Sequence, residues 1–185
     1  MVSILKEYLP GNDPYVGVVH RLDQPVAGVM VYAKTKEAAA ALSSQVASGS
    51  MTKHYRAVLC GVPKAKKGEL KDYLIKDDKD NISRVCDAKT KGAKEARLIY
   101  KITESRYTKG KQYAMAEIEL ITGRHHQIRV QFASRGTPLM GDHRYNPEPE
   151  GDRLCLESCS LRFVHPKTRK EMSFKLPESG LKLPE

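Results

Sequence analysis

The stretch VVHRLDQPVAGVMVYAKT, residues 18–35, places a charged tetrapeptide between two apolar runs. The runs, residues 16–19 and 29–33, have the composition of short buried strands. The tetrapeptide HRLD, residues 20–23, lies between them. Its side chains are costly to bury, so it is either an exposed ion pair on a loop or part of a functional site. Spacing alone favours the ion pair.

The length and composition bound the possibilities around this stretch. A chain of 185 residues predicts one domain that can bury a core without disulfide staples. Its 40% hydrophobic and 29% charged residues are typical of a globular protein. Tryptophan is absent and nine tyrosines supply most aromatic rings, so stacking on a ligand would fall mainly to tyrosine.

The charge balance indicates a polyanionic partner. The chain carries 32 Lys and Arg against 22 Asp and Glu, a net charge of +10. This excess favours a nucleic acid first and a membrane surface second. The N-terminal residues lack a signal peptide, and no apolar run approaches the length of about 20 residues needed to span a bilayer. We therefore expect a cytoplasmic protein with no membrane partner.

The cysteines do not form a metal-binding pattern. Cys60, Cys86, Cys155 and Cys159 include no CxxC pair, and a zinc site would need two further ligands near Cys155 and Cys159. We expect small buried side chains in a reducing compartment, and no metal.

Two helices stand out in the remaining chain. Residues 35–49 have Thr35 as a helix N-cap and Gly49 as a C-terminal stop. Residues 124–136 form the second predicted helix, which ends at Gly136.

The other segments have the alternation of strands. Residues 1–14 are expected to be an irregular lead-in, and the longer predicted strands cover residues 54–61, 70–75, 96–105, 112–121, 154–165 and 171–176. Many antiparallel strands with two main helices predict an α+β fold. GxGxxG and GxxxxGK[ST] motifs are absent from the sequence, so no nucleotide cofactor is expected.

Two further clusters hold polar residues in apolar surroundings. In KHYR, residues 53–56, Tyr55 shares a strand face with Ala57 and Leu59, which suits either a satisfied buried hydroxyl or a ring that stacks on a base. In TGRHHQIRVQF, residues 122–132, Arg129 lies beside apolar positions and would need a carboxylate partner if buried. This second cluster suits an anion site or a solvated basic helix face. The adjacent histidines would diverge on a helix and make a poor metal pair.

Together these motifs resemble the RluA-type pseudouridine synthases. HRLD with a glycine five residues on, then KHYRAVLCG, then TGRHHQIRVQFASRGTPLMGDHRY occur in the order and spacing of that family. The similarity runs from about residue 17 to residue 174. Two differences are mild: residues 26–28 read VAG where many members have TSG, and the helix reads HHQIRVQF where THQIRVHL is common.

The resemblance implies roles for individual residues. It makes Asp23 the catalytic residue, Tyr55 a ring packed on the target base and a base in a late proton transfer, and Arg129 the partner of the catalytic carboxylate. Arg21 would contact RNA and help fill the gap left by the flipped base. The RNA-binding residues expected are His20, Arg21, Arg124, His126 and Gln127.

The resemblance also implies a fold and a reaction. The fold would be a long, bent, mixed but mainly antiparallel sheet with flanking helices and a central cleft. The reaction would isomerise uridine to pseudouridine in structured ribosomal or transfer RNA, with the target base flipped out of its stack. It needs no cofactor or metal. Asp23 would act as a nucleophile or as the base that starts a glycal route.

The family usually has a Lys-Pro-x-Gly strand upstream of HRLD. The nineteen residues before His20 contain no match. We therefore expect residues 1–185 to be a single catalytic domain with a missing or shortened N-terminal strand segment and no S4-type domain, monomeric or dimeric.

Two other interpretations remain. A catalytically silent RNA-binding or RNA-folding protein would have the same net charge, although affinity for RNA does not require Asp23, Tyr55 and Arg129 together. A hydrolase using His20 or His126 with Asp23 lacks a recognisable nucleophile motif.

Overall fold

The structure is a computed structural model that describes residues 1–177 and 179–185. In these ranges the chain forms three helices, α1 (Val2–Glu7), α2 (Lys36–Ser48) and α3 (Gln127–Ala133). The strands are β1 (Gly17–Val18), β2 (Ala27–Gly28), β3 (Tyr32–Ala33), β4 (Thr52–Cys60), β5 (Lys67–Asp77), β6 (Ile82–Cys86), β7 (Lys94–Thr108), β8 (Lys111–Leu120), β9 (Leu156–Val164) and β10 (Glu171–Lys175).

Eight strands form the main sheet, in the order β10-β9-β4-β8-β7-β5-β6 with β2 beside β9. All pairs in it are antiparallel except the parallel pair β2–β9. β1 and β3 pair with each other in a separate two-stranded sheet. A mainly antiparallel sheet with few helices confirms the α+β prediction.

β4 lies near the middle of the sheet and is covered on both faces. Tyr55, Ala57 and Leu59 belong to the largest core cluster, as their alternation predicts. Val58 points the other way, into a second cluster with Tyr113. Burial on both faces explains why the second half of β4 is continuously apolar.

Helix α2 has the predicted ends. The Thr35 hydroxyl accepts a hydrogen bond from the Ala38 N–H at 3.1 Å, and Gly49 adopts φ of 75° at the C-terminal end. Leu42 is the fully buried residue of this helix and packs against β9 and β3 residues in a separate core cluster.

A close approach of two backbones fixes the loop that carries HRLD. β2 follows this loop, and its residue Gly28 pairs with Ser158 of β9. Gly28 has φ of 135°, and an added Cβ would lie 2.2 Å from the Ser158 carbonyl oxygen. The Val29 N–H then donates to the same oxygen at 2.8 Å. Only glycine fits here, which gives a physical reason for the glycine five residues after Asp23.

Several predicted bounds are wrong. α1 forms within the expected irregular lead-in, and β2 and β6 were not predicted. The two apolar runs that flank HRLD shorten to the two-residue strands β1 and β3. Helix α3 begins at Gln127, three residues later than expected, because His126 adopts a left-handed conformation with φ of 51°. The four cysteines are free but half-buried, not fully buried as expected.

Candidate active site

A cleft of about 600 Å³ opens where three segments of the chain converge. The HRLD loop supplies Asp23, and β4 supplies Lys53 and Tyr55. His126 comes from the residue before α3, and Arg129 comes from α3 itself. Residues from the three sequence clusters are therefore brought together, as the resemblance implies. The cleft lies over the main sheet. Three of its lining residues also pack in the largest core cluster, namely Leu22, Tyr55 and Ile128.

Asp23 lies at the floor of this cleft with a side chain that is 26% exposed. Its Oδ2 accepts a hydrogen bond from Arg129 Nη1 at 3.2 Å. The Asp23 carbonyl also accepts from the Val26 N–H at 2.8 Å, which closes a turn over Gln24 and Pro25. The carboxylate is thus held in place, paired with a cation, and still reachable from solvent.

Arg129 is buried and bound by a second carboxylate. Its residue exposure is 4%, while that of Asp142 is 1%. Arg129 Nε donates to Asp142 Oδ2 at 2.8 Å and Nη2 donates to Oδ1 at 2.7 Å. The backbone N–H groups of Arg144 and Tyr145 donate to the same Oδ1. The need for a carboxylate partner is confirmed, but Asp142 was not identified from the sequence.

This pairing sets the charges of both groups. Burial alone would raise the pKa of Asp142, but hydrogen bonds and charge from Arg129 outweigh it and hold that pKa below the usual value. Burial likewise opposes the charge of Arg129, but the two aspartates keep its pKa raised. Arg129 is therefore a permanent cation that faces Asp23.

A chain of hydrogen bonds orients His126 beside Asp23. The Tyr145 hydroxyl accepts from the Ser83 N–H at 2.8 Å and lies 2.9 Å from His126 Nδ1. Burial lowers the pKa of His126 to about 4, so the ring is neutral near pH 7. The hydroxyl can donate its own hydrogen to Nδ1 while it accepts from the backbone. In that tautomer the ring hydrogen is on Nε2, which faces Asp23 Oδ2 at 3.7 Å, beyond hydrogen-bond length.

The adjacent histidines stack and do not diverge. Their ring centroids are 3.7 Å apart, because both residues precede α3 and are not on its surface. His125 Nδ1 is 2.9 Å from the Ser83 hydroxyl. Ser83, on the unpredicted strand β6, is therefore linked to both histidines. Its hydroxyl contacts His125 directly, and its N–H bonds to Tyr145, which in turn contacts His126.

Tyr55 is 6% exposed and lines the cleft. Burial is the main reason why its pKa rises to about 12, with the nearby Asp23 charge adding to the effect. The phenol is therefore protonated near pH 7. In this state it offers a flat apolar ring and a hydroxyl, and it can accept a proton only while giving up its own.

The predicted RNA-binding residues differ in how free they are. Arg21 is exposed on the loop. Arg124 donates through Nε to the Glu95 carbonyl. His20 Nε2 accepts from the Val31 N–H at 3.2 Å, and burial with the charge of Lys53 lowers its pKa to about 4. This hydrogen bond therefore connects the HRLD loop to Val31, the residue that precedes β3.

Gln127 is buried, and its amide makes three of the four hydrogen bonds that it can form. Its Oε1 accepts from the Thr122 hydroxyl at 2.8 Å and from the Arg124 N–H at 3.0 Å. Its Nε2 donates to the Arg97 carbonyl at 3.0 Å. These contacts fasten the segment before α3 to β7 and leave the amide little capacity to bind RNA.

The described residues contain no group of three or more His, Cys, Asp or Glu side chains arranged to hold a metal ion. Across residues 1–177 and 179–185, no helix combines the length and apolar character of a membrane span.

Comparison with known proteins places this cleft in context. Residues 2–134 match the family described as RNA pseudouridylate synthase. The tRNA pseudouridine synthase C of Vibrio vulnificus is 34% identical over 174 residues, which cover 85% of this chain and 70% of that protein. The ribosomal large subunit pseudouridine synthase D of Zymomonas mobilis is 32% identical, with 85% of this chain and 51% of that protein covered.

A solved structure has the same fold. The human RNA pseudouridylate synthase domain containing 1 protein superposes with a TM-score of 0.76 at 22% identity. The match covers 94% of this chain and 72% of the human chain.

Proposed function

The chain belongs to the RNA pseudouridine synthase family, and on that premise we propose that it isomerises uridine to pseudouridine in RNA with Asp23 as the catalytic residue. The observation that carries the assignment is the contact between Asp23 and the buried guanidinium of Arg129 in an open cleft. A carboxylate reachable by substrate and paired with a fixed cation is suited to attack or to abstract a proton.

The reaction rearranges one nucleotide without a net change in composition. The bond between ribose C1′ and uracil N1 breaks, the uracil turns while bound, and C5 is joined to C1′. The hydrogen on C5 is released to solvent, and N1 gains a proton. Asp23 would either add to the sugar or the base as a nucleophile, or remove a ribose proton to start a glycal route.

The neighbours of Asp23 would assist in different ways. Arg129 stabilises the carboxylate, and the Nε2–H of His126 provides a neutral donor next to it. Tyr55 offers a ring for the uracil to pack on, and its proton-transfer role would require release of its own hydrogen.

The target uridine must leave its stack to reach a cleft floor, so base flipping is part of the proposal. Arg21 is exposed on the HRLD loop and lines the cleft that the flipped nucleotide would enter. The net charge of +10 supports binding to the RNA backbone.

The substrate is proposed to be transfer or ribosomal RNA, since the relatives compared above carry names for one or the other. Two further predictions from the sequence are that residues 1–185 form a single catalytic domain and that the protein is cytoplasmic. A catalytically silent RNA-binding protein remains the second candidate function. Only a measurement of isomerisation distinguishes it from the synthase, because both would bind RNA.

The deciding experiment is release of tritium from RNA labelled at C5 of uridine, prepared from cells that lack this gene. Wild type should release tritium, whereas Asp23→Asn should release none and keep its RNA affinity within a few fold. Asp13→Asn is a matched control, since it removes an exposed carboxylate that does not line the cleft. Equal loss of binding and activity in Asp23→Asn would make Asp23 structural. No release by wild type would favour the silent RNA binder.

A further inference from the structure

Lys53 is a buried cation in the cleft that the mechanism above does not use. The residue is only 6% exposed and lies on β4, two positions before Tyr55 and on the same face. Its side chain lines the cleft. The ammonium passes over Gly123, where an added Cβ would lie 3.3 Å from Nζ.

The ammonium has no counter-charge among residues 1–177 and 179–185. The described ion pair of Asp23 in this cleft is formed by another cation, Arg129. Burial alone accounts for the lowered pKa of Lys53. Lysine is almost never buried to this degree without a partner, because loss of hydration costs several kcal/mol, of the order found for other buried ions.

Lys53 and Asp23 line the same cleft but do not form an ion pair with each other, since the only arginine or lysine paired with Asp23 in the described chain is Arg129. The charge of Lys53 lowers the pKa of His20, whereas the charge of Asp23 raises the pKa of Tyr55. Tyr55 lies two positions after Lys53 on β4. A ligand that spans the cleft from Asp23 would bring some other group to Lys53.

We propose that Lys53 is the binding site for a backbone phosphate adjacent to the target uridine. The inference rests on the proposed function, which places the ribose C1′ at Asp23. The phosphodiesters attached to that ribose are its nearest permanently charged groups, whereas the uracil is neutral until its bond to C1′ breaks. A lysine binds phosphate as a point charge through three donors, and all three donors of Lys53 are unengaged in the described chain.

The test compares RNA binding by wild type, Lys53→Met and Lys53→Arg. The probe is a set of in vitro transcripts of transfer RNAs and ribosomal RNA fragments, in which every uridine is unmodified. Lys53→Met should weaken binding at least about tenfold, the effect of losing one hydrogen bond to a charged group. It should also reduce the log–log salt slope by about 0.7, the value for one phosphate contact on a single strand. Lys53→Arg should retain most of the affinity.

The unfolding temperature separates a phosphate-binding lysine from a structural one. Replacing a structural lysine would lower the unfolding temperature of the protein. Methionine has a similar length and no charge to bury, so Lys53→Met should unfold at the same or a higher temperature than wild type. Lys101→Met, at an exposed position of β7, removes one charge outside the cleft and should leave affinity within about twofold.

Three results would overturn the proposal. Unchanged affinity in Lys53→Met would exclude a phosphate contact, and a lowered unfolding temperature would make Lys53 structural. A fall in turnover at saturating RNA with unchanged affinity would instead assign Lys53 to the detached uracil. RNA affinity does not depend on turnover, so the affinity results are distinct from failure of the proposed activity.

Discussion

Arg129 forms a bidentate ion pair with Asp142, in which Nε and Nη2 lie 2.8 and 2.7 Å from the two carboxylate oxygens. Its third nitrogen, Nη1, is thereby directed at Asp23. The bidentate contact fixes the plane of the guanidinium, so the position of the cation that faces Asp23 depends on a fully buried carboxylate. Asp142 is thus a positioning residue.

Replacing Asp142 with asparagine should impair both stability and turnover. One partner of a buried ion pair would be lost, which costs about 3–5 kcal/mol in free energy of unfolding. Turnover should fall by about a hundredfold, as expected when a catalytic group shifts by about 1 Å. Urea unfolding and tritium release check the two effects. Glu171→Gln, which breaks the exposed pair with Arg162, should cost at most about 1 kcal/mol.

Acid should remove the contribution of Asp142. Its pKa is lower in the folded than in the unfolded protein, so the stabilisation is fully present above the unfolded value of about 3.9. It is lost as pH falls through the lower, folded pKa. Asp142→Asn should show a smaller fall in unfolding free energy below pH 4 than wild type. Equal falls would contradict the charge assignment.

Tyr145→Phe tests the orientation of the His126 ring. Without the hydroxyl, the Ser83 N–H loses its acceptor, which should cost about 1–3 kcal/mol of stability. The ring is also free to carry its hydrogen on Nδ1 and to turn a lone pair toward Asp23. We expect a lower kcat, a nearly unchanged KM and a changed tautomer in the nitrogen NMR shifts of the histidines. Tyr107→Phe, at an exposed site, should change none of these.

The His20 contact predicts a distinct pH dependence of stability. The pKa of this ring is about 4 in the folded protein, against an unfolded value of about 6.5. The unfolded chain therefore takes up protons first, so stability is fully present above pH 6.5 and is lost as pH falls toward 4. His20→Gln keeps an acceptor for the Val31 N–H but does not titrate, so its stability should fall less over this range. Parallel unfolding curves for the two proteins would refute this.

Gly28 should tolerate no side chain. An added Cβ meets the Ser158 backbone at 2.2 Å in a backbone conformation that is already unfavourable for other residues. We expect Gly28→Ala to lower the free energy of unfolding by about 3 kcal/mol or more. Gly110→Ala is the matched control, since Gly110 also has positive φ but no neighbour within 4 Å. It should cost only about 1–2 kcal/mol.

Local sequence patterns were sufficient for some parts of the site. The requirement of a buried arginine for a carboxylate follows from electrostatics and is independent of fold. The identity of that carboxylate does not follow, because Asp142 lies in a loop thirteen positions from Arg129 without any periodic pattern. The HRLD motif located Asp23, but the exposure of its carboxylate is a property of the assembled cleft.

Other parts depend on contacts distant in sequence. Strand β2 has two residues and exists only through its pairing with β9, so no propensity could reveal it. The start of α3 was misplaced because the left-handed backbone of His126 is stabilised by tertiary contacts to Tyr145. That error also reversed the expected relation between His125 and His126.

The shared guanidinium has a consequence for how a nucleotide enters. Two carboxylates flank one arginine and the neighbouring His126 is neutral, so the immediate surroundings of Asp23 are negative, although the chain as a whole is strongly positive and Lys53 adds a cation to the same cleft. Phosphates are attracted to the protein and to Lys53 but repelled from Asp23, while ribose and uracil meet no such barrier. The sign reversal therefore orients an incoming nucleotide, sugar and base inward, before any group of the base is recognised.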